Sequence, residues 1–295
     1  MAGSSALDVV VVSYRSPELL RACLQSLRDH PPAAPMRVHV IDNASGDGSA
    51  EMVRREFAEF ELTESPRNLG FGAANNLGIA AGSAPYVLVL NPDTRLTAGA
   101  LDGLLALMEA DARIGMAGPR LERDDGSFDH ASRRSFPTPL GALGHFTGIG
   151  RRRTAPAALS QYRAPEVEAG PVDAINGAFM LIRRSALERV GGFDERYWMY
   201  MEDLDLCYRF AQAGWTTWFE PSVTVGHVKA GSSGRHRSLR LNYAFHYGMF
   251  RFYRDHYAAT RNPLLNLAVY AGITLKLAIA VIRSAAARAI YRSRS

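Results

Sequence analysis

Cysteine is scarce. Only Cys23 and Cys207 occur in 295 residues, and neither has a second cysteine or a histidine at metal-ligand spacing. That excludes a disulfide scaffold and a thiolate metal site; both cysteines fall on apolar helix faces and read as reduced core residues. The opening stretch, MAGSSALDVVVVSYRS, lacks a basic segment, and its apolar run is too short for a secretory signal. The body of the protein is therefore expected in the cytoplasm. Acids are nearly missing from the other end: residues 235–295 carry eleven Arg or Lys and one acid, Asp255, so the tail is +10 and the remainder −5. The basic excess describes the tail, whose apolar content favours an anionic lipid surface over nucleic acid. With 47% hydrophobic and 21% charged residues, the chain is neither disordered nor fibrous. Its length suits one large domain or two of about 150 residues.

What is present is a strand–loop–helix unit that recurs. Val9 to Val12 form a β-branched run, followed by Ser-Tyr-Arg-Ser-Pro and an amphipathic stretch with Leu19, Leu20, Cys23, Leu24 and Leu27 at helical spacing. Met36 to Ile41 repeats the strand, Ser49 to Phe57 the helix, and Tyr86 to Leu90 is another strand ending at Asn91-Pro-Asp93. Continuous apolar strands alternating with helices predict an α/β fold with a mostly parallel sheet covered on both faces. In such sheets ligands bind at the carboxyl ends of strands. Here those ends carry Ser13-Tyr14-Arg15, Asp42-Asn43, and Asn91 with Asp93. Residues 122–172, rich in Arg, Gly, Pro and Ser without periodicity, read as a lid or mobile loop.

Each motif has a structural reading and a functional one. Asp42-Asn-Ala-Ser-Gly-Asp-Gly-Ser suits a turn with a helix cap, and its first carboxylate could equally accept the imide N–H of uracil or thymine. Asn68-Leu-Gly-Phe-Gly-Ala-Ala-Asn-Asn fails the dinucleotide fingerprint, because Asn75 stands at the third glycine position and no apolar strand precedes it. Its glycines permit close approach to a ligand or tight helix packing. Asp93 is either a cap for the next helix or a ligand for a hard cation. His227 follows the short apolar stretch Val223 to Val225, and is either a satisfied structural residue or a ligand.

The stretch MYMEDLDLCYRF, residues 199–210, places carboxylates where burial is expected. Leu204, Cys207, Tyr208 and Ala211 share a helical face and Gly214 supplies a stop, so Glu202 and Asp203 sit at a helix N-terminus. Compensation of the helix dipole is one reading, at about 0.3–1 kcal/mol per charge. The aromatic run Tyr197, Trp198 and Tyr200 supports another, a general base in a walled pocket.

Together VVVVSYRSPELLRACLQSL, VIDNASGDGS, NLGFGAANNLGI, VLVLNPDT, INGAFMLIRR, GGFDERYWMYMEDLDLCYRFAQAGW and VTVGH, spread over residues 9–233, resemble the family 2 glycosyltransferases of the GT-A fold, a Rossmann-like α/β architecture. The similarity is greatest to their bacterial rhamnosyltransferase-like branch. The resemblance implies an inverting transfer from a nucleotide-sugar donor, dTDP-rhamnose or a UDP-sugar, to a glycan or polyprenyl-diphosphate-linked acceptor in cell-surface polysaccharide synthesis. It implies a divalent metal, Mg2+ or Mn2+, at Asp93 and His227. Nucleotide binding falls to Ser13, Tyr14, Asp42, Asn68, Gly70 and Asn75, and the leaving diphosphate to Arg133 and Arg134. The inverting base is Asp203, with Glu202 in reserve. The metal element begins with Asn91 where many relatives have a second acid, and Ser232 and Ser233 are not carried over as ligands.

The expected organisation is a GT-A domain over 1–235 and a basic, apolar helical tail over 236–295. Residues 264–282 approach the ~20 apolar residues of a spanning helix, but Asn266 and Lys276 interrupt them. That favours a helix lying on the inner face of the plasma membrane over one crossing it. Two other readings remain at this point: a sugar-nucleotide pyrophosphorylase, which would need a glycine-rich loop after the first strand, and a membrane-associated scaffold without turnover.

Overall fold

The computed structural model describes residues 5–137, 168–228 and 238–292, with side chains as far as 285. Strands β1 (Leu7–Ser13), β2 (Met36–Asp42), β3 (Glu61–Glu64) and β4 (Tyr86–Leu90) lead the chain, followed by β5 (Thr94–Arg95) and β6 (Ile114–Glu122). Next come β7 (Arg133–Arg134), β8 (Gly170–Pro171), β9 (Ala174–Ile175), β10 (Phe179–Arg183) and β11 (Thr216–His227). The large sheet has the order β3-β2-β1-β4-β10-β6-β11-β5, with β8 on β11; β7 and β9 form a separate ribbon. Strands β1, β2, β3 and β4 pair in parallel, as do β6 and β11. Strand β10 runs antiparallel between β4 and β6. The sheet is thus mixed, with parallel pairs at both ends of a reversed central strand.

Successive residues of β1 point to opposite faces, and both faces are covered. Val9 and Val11 join one core cluster with helices α1 (Pro17–Asp29), α2 (Ser49–Glu56) and α4 (Ala100–Ala110), whereas Val10 packs under α3 (Phe71–Ala81). On that second face lie also α5 (Arg184–Val190), α6 (Glu202–Gln212) and α7 (Leu239–His256). Each fully buried Val or Leu of these layers contributes about 1.5–3 kcal/mol. Proline at the start of α1 costs no hydrogen bond, since the first helical N–H groups are unpaired anyway. Both cysteines are buried and free, as expected, and burial pushes their thiols up to about 12.

The segment expected as a lid divides. Residues 122–137 are folded into the body: Asp129 and Ser132 are buried, and the turn His130–Ser132 leads into β7. Residues 138–167 lie outside the described residues, as do Ser232 and Ser233. Before the glycine-rich stretch stands β3, a mostly exposed polar edge strand rather than an apolar one.

The tail is a helical hairpin. Helix α7 buries Phe252 against the body, and α8 (Pro263–Arg292) runs back along it, its Tyr270 ring centre 5.7 Å from that of Tyr253. At one end the hydroxyl of Tyr253 donates to Asn266 Oδ1 at 2.8 Å. At the other, Asn242 Nδ2 donates to Ser284 Oγ at 2.8 Å. Asn266 and Ser284 thus face α7, while Leu264, Leu267, Leu275 and Ile282 are exposed. The stretch Pro263–Ala285 is long and apolar enough by length and composition to cross a membrane.

Candidate active site

The carboxyl ends of β1 and β2 are in register, with Ser13 opposite Asp42. Asp42 Oδ2 accepts from the Ser45 amide at 3.1 Å, but its Oδ1 and the hydroxyl of Ser13 are buried with no hydrogen-bond partner among the described residues. Unsatisfied buried oxygens cost about 1–3 kcal/mol each, and an acceptor beside a hydroxyl suits the imide edge of a pyrimidine. Tyr14 is exposed, with the Arg15 guanidinium 5.2 Å from its ring centre.

Asn43, which sequence reasoning passed over as a turn residue, ties this edge to the glycine-rich loop. Its side chain donates to the Gly70 carbonyl at 3.0 Å and accepts from the Leu69 amide at 2.8 Å. Asn68 accepts from the Gly70 amide at 2.9 Å and so shapes the loop. Asn75 is buried within α3, its amide donating to the Phe71 carbonyl at 3.0 Å. Gly70, expected at the nucleotide, also has a packing role. Its φ is +89°, and a Cβ there would lie 2.0 Å from the Trp198 carbonyl oxygen. The space a side chain would need is filled by protein.

Asp93 is not a helix cap, because α4 starts at Ala100 behind a left-handed Gly99. Its Oδ1 is buried without a hydrogen bond among the described residues and lies 3.5 Å from His227 Nε2. The distance suits an ion pair with an imidazolium but is long for a good hydrogen bond. Pairing of β5 with β11 brings the two together, Gly226 and His227 lying opposite Arg95 and Thr94. On the far side, Asp129 Oδ2 sits 3.0 Å from His227 Nδ1. Burial opposes the charged imidazole, but the two flanking carboxylates outweigh it and lift its pKa to about 9.

Asp129 is a second residue missed in the sequence, because it falls in the aperiodic segment. Its only local signal is the short turn it starts, where its side chain accepts from the Ala131 amide. The donor set fits a hard divalent cation: one carboxylate oxygen free of hydrogen bonds, and one imidazole oriented from behind by a carboxylate. No cluster of three or more His, Cys, Asp or Glu ligands occurs among the described residues, so such an ion would draw its remaining ligands from phosphates and water.

Glu202 and Asp203 open α6 as expected, after two non-glycine residues with positive φ, Tyr200 and Met201. Such conformations cost of order 1–3 kcal/mol and persist where surrounding structure enforces them. Here Gly248 of α7 permits the approach, since a Cβ on it would meet the Tyr200 carbonyl oxygen at 2.9 Å. Asp203 accepts from the amides of Gly177 at 3.0 Å and Leu204 at 2.7 Å, and from the Arg134 guanidinium. Glu202 is 5% exposed, and its Oε2 has no hydrogen-bond partner among the described residues. Burial, reinforced by the charge of Asp203, raises its carboxyl well above the usual carboxylate range. Asp205 is structural: Arg209 Nε lies at 2.8 Å and His256 Nε2 at 2.7 Å from it, tying α6 to α7.

The two arginines part company. Adjacent strand residues point to opposite faces, so Arg134 reaches Asp203 while Arg133 is buried with its guanidinium 5.5 Å from the Phe219 ring centre. Arg133, expected with Arg134 at the diphosphate, is turned away from the carboxylate pair.

The resulting centre is continuous. Ala178, next to the Gly177 that bonds Asp203, accepts from the Asn91 amide at 2.9 Å, two residues before Asp93. The short segment from Asp129 to Arg134 touches His227 at one end and Asp203 at the other. A carboxylate–imidazole pair, a buried acid pair and two unpartnered oxygens at the ends of β1 and β2 thus come together on an α/β sheet.

The comparisons agree. Residues 8–191 match the family model described as glycosyl transferase family 2. The chain is 35% identical over 280 residues to the N-acetylglucosaminyl-diphospho-decaprenol L-rhamnosyltransferase of Mycobacterium tuberculosis, covering 88% of each chain. It is 32% identical over 166 residues to rhamnosyltransferase WbbL of Escherichia coli, covering 54% of this chain and 60% of that one. The structure of the mannosyltransferase PcManGT from Pyrobaculum calidifontis, in complex with GDP-Man and Mn2+, matches with a TM-score of 0.57 at 18% identity, covering 100% of this chain and 77% of that chain. At that identity the likeness concerns the fold alone, which is GT-A-like. The chain belongs to glycosyl transferase family 2 and is a rhamnosyltransferase-like glycosyltransferase. Family membership removes the pyrophosphorylase reading.

Proposed function

We propose that the protein transfers rhamnose, with inversion, from dTDP-rhamnose to a hydroxyl of a polyprenyl-diphosphate-linked sugar in cell-surface polysaccharide synthesis. The observation that carries this reading is the similarity over 88% of both chains to a rhamnosyltransferase named for a GlcNAc-diphospho-lipid acceptor. The free oxygens of Asp42 and Ser13 support a thymine or uracil base, which leaves a UDP-sugar as the other donor.

The acceptor oxygen attacks C1 of the sugar from the face opposite the diphosphate, the C1–O bond to phosphate breaks, and the hydroxyl proton passes to Asp203. Glu202 is the other candidate base; burial and the charge of Asp203 push its carboxyl pKa up. Arg134, bonded to Asp203 here, is the arginine placed to meet the leaving diphosphate. Asp93 and His227 would hold Mg2+ or Mn2+, which compensates the charge gathering on that diphosphate.

The tail supports work at the inner face of the plasma membrane. Because α8 is bonded to α7 near both of its ends, it lies along the body with its leucines outward, which suits a helix resting in the interface.

The test is a binding screen across dTDP-, UDP- and GDP-sugars, followed by product analysis with a GlcNAc-diphosphate-lipid acceptor. The expected product gains one deoxyhexose of inverted anomeric configuration. Turnover with a GDP-sugar and none with dTDP-rhamnose would overturn the donor assignment.

A further inference from the structure

We propose that the groove where α7 crosses the segment Arg196–Tyr200 is the acceptor subsite, and that it takes the sugar-diphosphate head of the lipid-linked acceptor. This rests on the transferase reading above and adds to it the residues that recognise the second substrate.

The groove encloses about 230 Å³ between Tyr197 and Trp198 on one side and Arg240, Tyr243 and Tyr247 on the other. Its walls are aromatic and partly open: the rings of Tyr243 and Tyr247 stack at 5.8 Å, 12° from parallel, and Tyr243 is 59% exposed. The Arg240 guanidinium lies 3.7 Å from the centre of the Trp198 ring. Arg240 has no carboxylate partner among the described residues, whereas Arg196 is already paired with Asp194.

Each feature asks for part of the same ligand. Aromatic faces stack on the C–H face of a pyranose. A free guanidinium forms paired hydrogen bonds to phosphate oxygens.

The location joins these to the chemistry. Trp198 carries the carbonyl that accepts from the Phe71 amide at 2.9 Å, so it is the wall between the groove and the loop at the nucleotide edge. Glu202 and Asp203 follow it a few residues on. The opposite flank of α7 carries α8 with its exposed leucines, so the width of one helix separates the groove from that apolar surface.

The experiment compares wild type with Arg240→Gln and Tyr243→Ala, each at an exposed position that leaves the core intact. The probe is a GlcNAc-diphosphate carrying a short, water-soluble isoprenoid chain. The acceptor KM is expected to rise at least tenfold in each variant, with the dTDP-sugar Kd within twofold of wild type. An unchanged acceptor KM, or a donor Kd that moves equally, overturns the proposal. A second arm measures sedimentation with vesicles of anionic phospholipid that contain no acceptor. If Arg240→Gln weakens vesicle binding and leaves the KM of the soluble acceptor unchanged, the arginine reads a membrane phosphate and the subsite is refuted. Failure of the wild type to glycosylate the probe at all would count against the function proposed above, a result distinct from either variant outcome.

Discussion

Arg134 donates to the carboxylate of Asp203, 69 residues further along the chain, and both Arg134 and the Gly177 amide hold the oxygen Oδ2. The pair places a cation beside the carboxylate proposed to take the acceptor proton. Asp203→Asn keeps the shape and loses the base, so transfer is expected to fall by about 100- to 10,000-fold with the donor Kd within twofold. Near-normal turnover in this variant would remove Asp203 from the role, and a comparable collapse in Glu202→Gln alone would transfer it.

Glu202 predicts a pH-dependent stability. Its folded carboxyl binds a proton more tightly than the unfolded one, because burial and Asp203 disfavour its charge. The associated stability is present below the unfolded carboxylate pKa and is lost as pH rises through the folded value. Glu202→Gln does not titrate. Its Tm relative to wild type should therefore climb from pH 5 through neutrality, and a flat difference in calorimetry would contradict the burial argument.

Asp129 orients His227 and helps raise its pKa from 6.5 to about 9. The stability linked to that imidazolium is complete below pH 6.5 and is lost toward pH 9. A metal ligand must be deprotonated, so Mn2+ affinity measured by titration calorimetry should increase with pH by up to about tenfold per unit over the same range. Asp129→Asn should weaken Mn2+ binding by about 10- to 100-fold while the far-ultraviolet circular dichroism is retained. Affinity within threefold of wild type would show that the orienting bond does not matter.

Gly70→Ala should destabilise the protein by well over 1 kcal/mol, because positive φ strain adds to a clash with backbone. Urea unfolding measures it. A loss below about 0.5 kcal/mol would mean that the Trp198 segment moves away easily.

Truncation after Arg261 removes α8 and with it the exposed leucines. The shortened protein is expected in the soluble fraction after gentle lysis and carbonate-free sedimentation. Retention in the membrane fraction would show that another surface is the anchor.

Much of the fold was legible in the chain because its signals are local. The β-branched run at Val9 fixes a buried strand, the spacing of Leu20, Cys23, Leu24 and Leu27 fixes a helix that buries all four, and Gly214, with φ +83°, ends the helix that Glu202 begins. The reversal of β10 was not legible, since an apolar pentapeptide such as Phe179–Arg183 has no direction written into its composition. Asn43 and Asp129 were missed for a related reason. Each acts on a partner distant in sequence, Gly70 in one case and His227 in the other, and short polar residues in turns look alike whether or not they do so.

The sequence by itself determined which residue types stand at the strand ends and at the start of α6, because periodicity and turn chemistry are set by neighbours a few residues apart. Only the tertiary structure decided how they act together. Strand pairing carried His227 to Asp93, strand alternation sent Arg134 toward Asp203 and Arg133 away from it, and the packing of Trp198 against Gly70 gave that glycine its reason. Those outcomes depend on contacts across the sheet, where the free energy of burying and pairing charged groups is settled by three-dimensional neighbours.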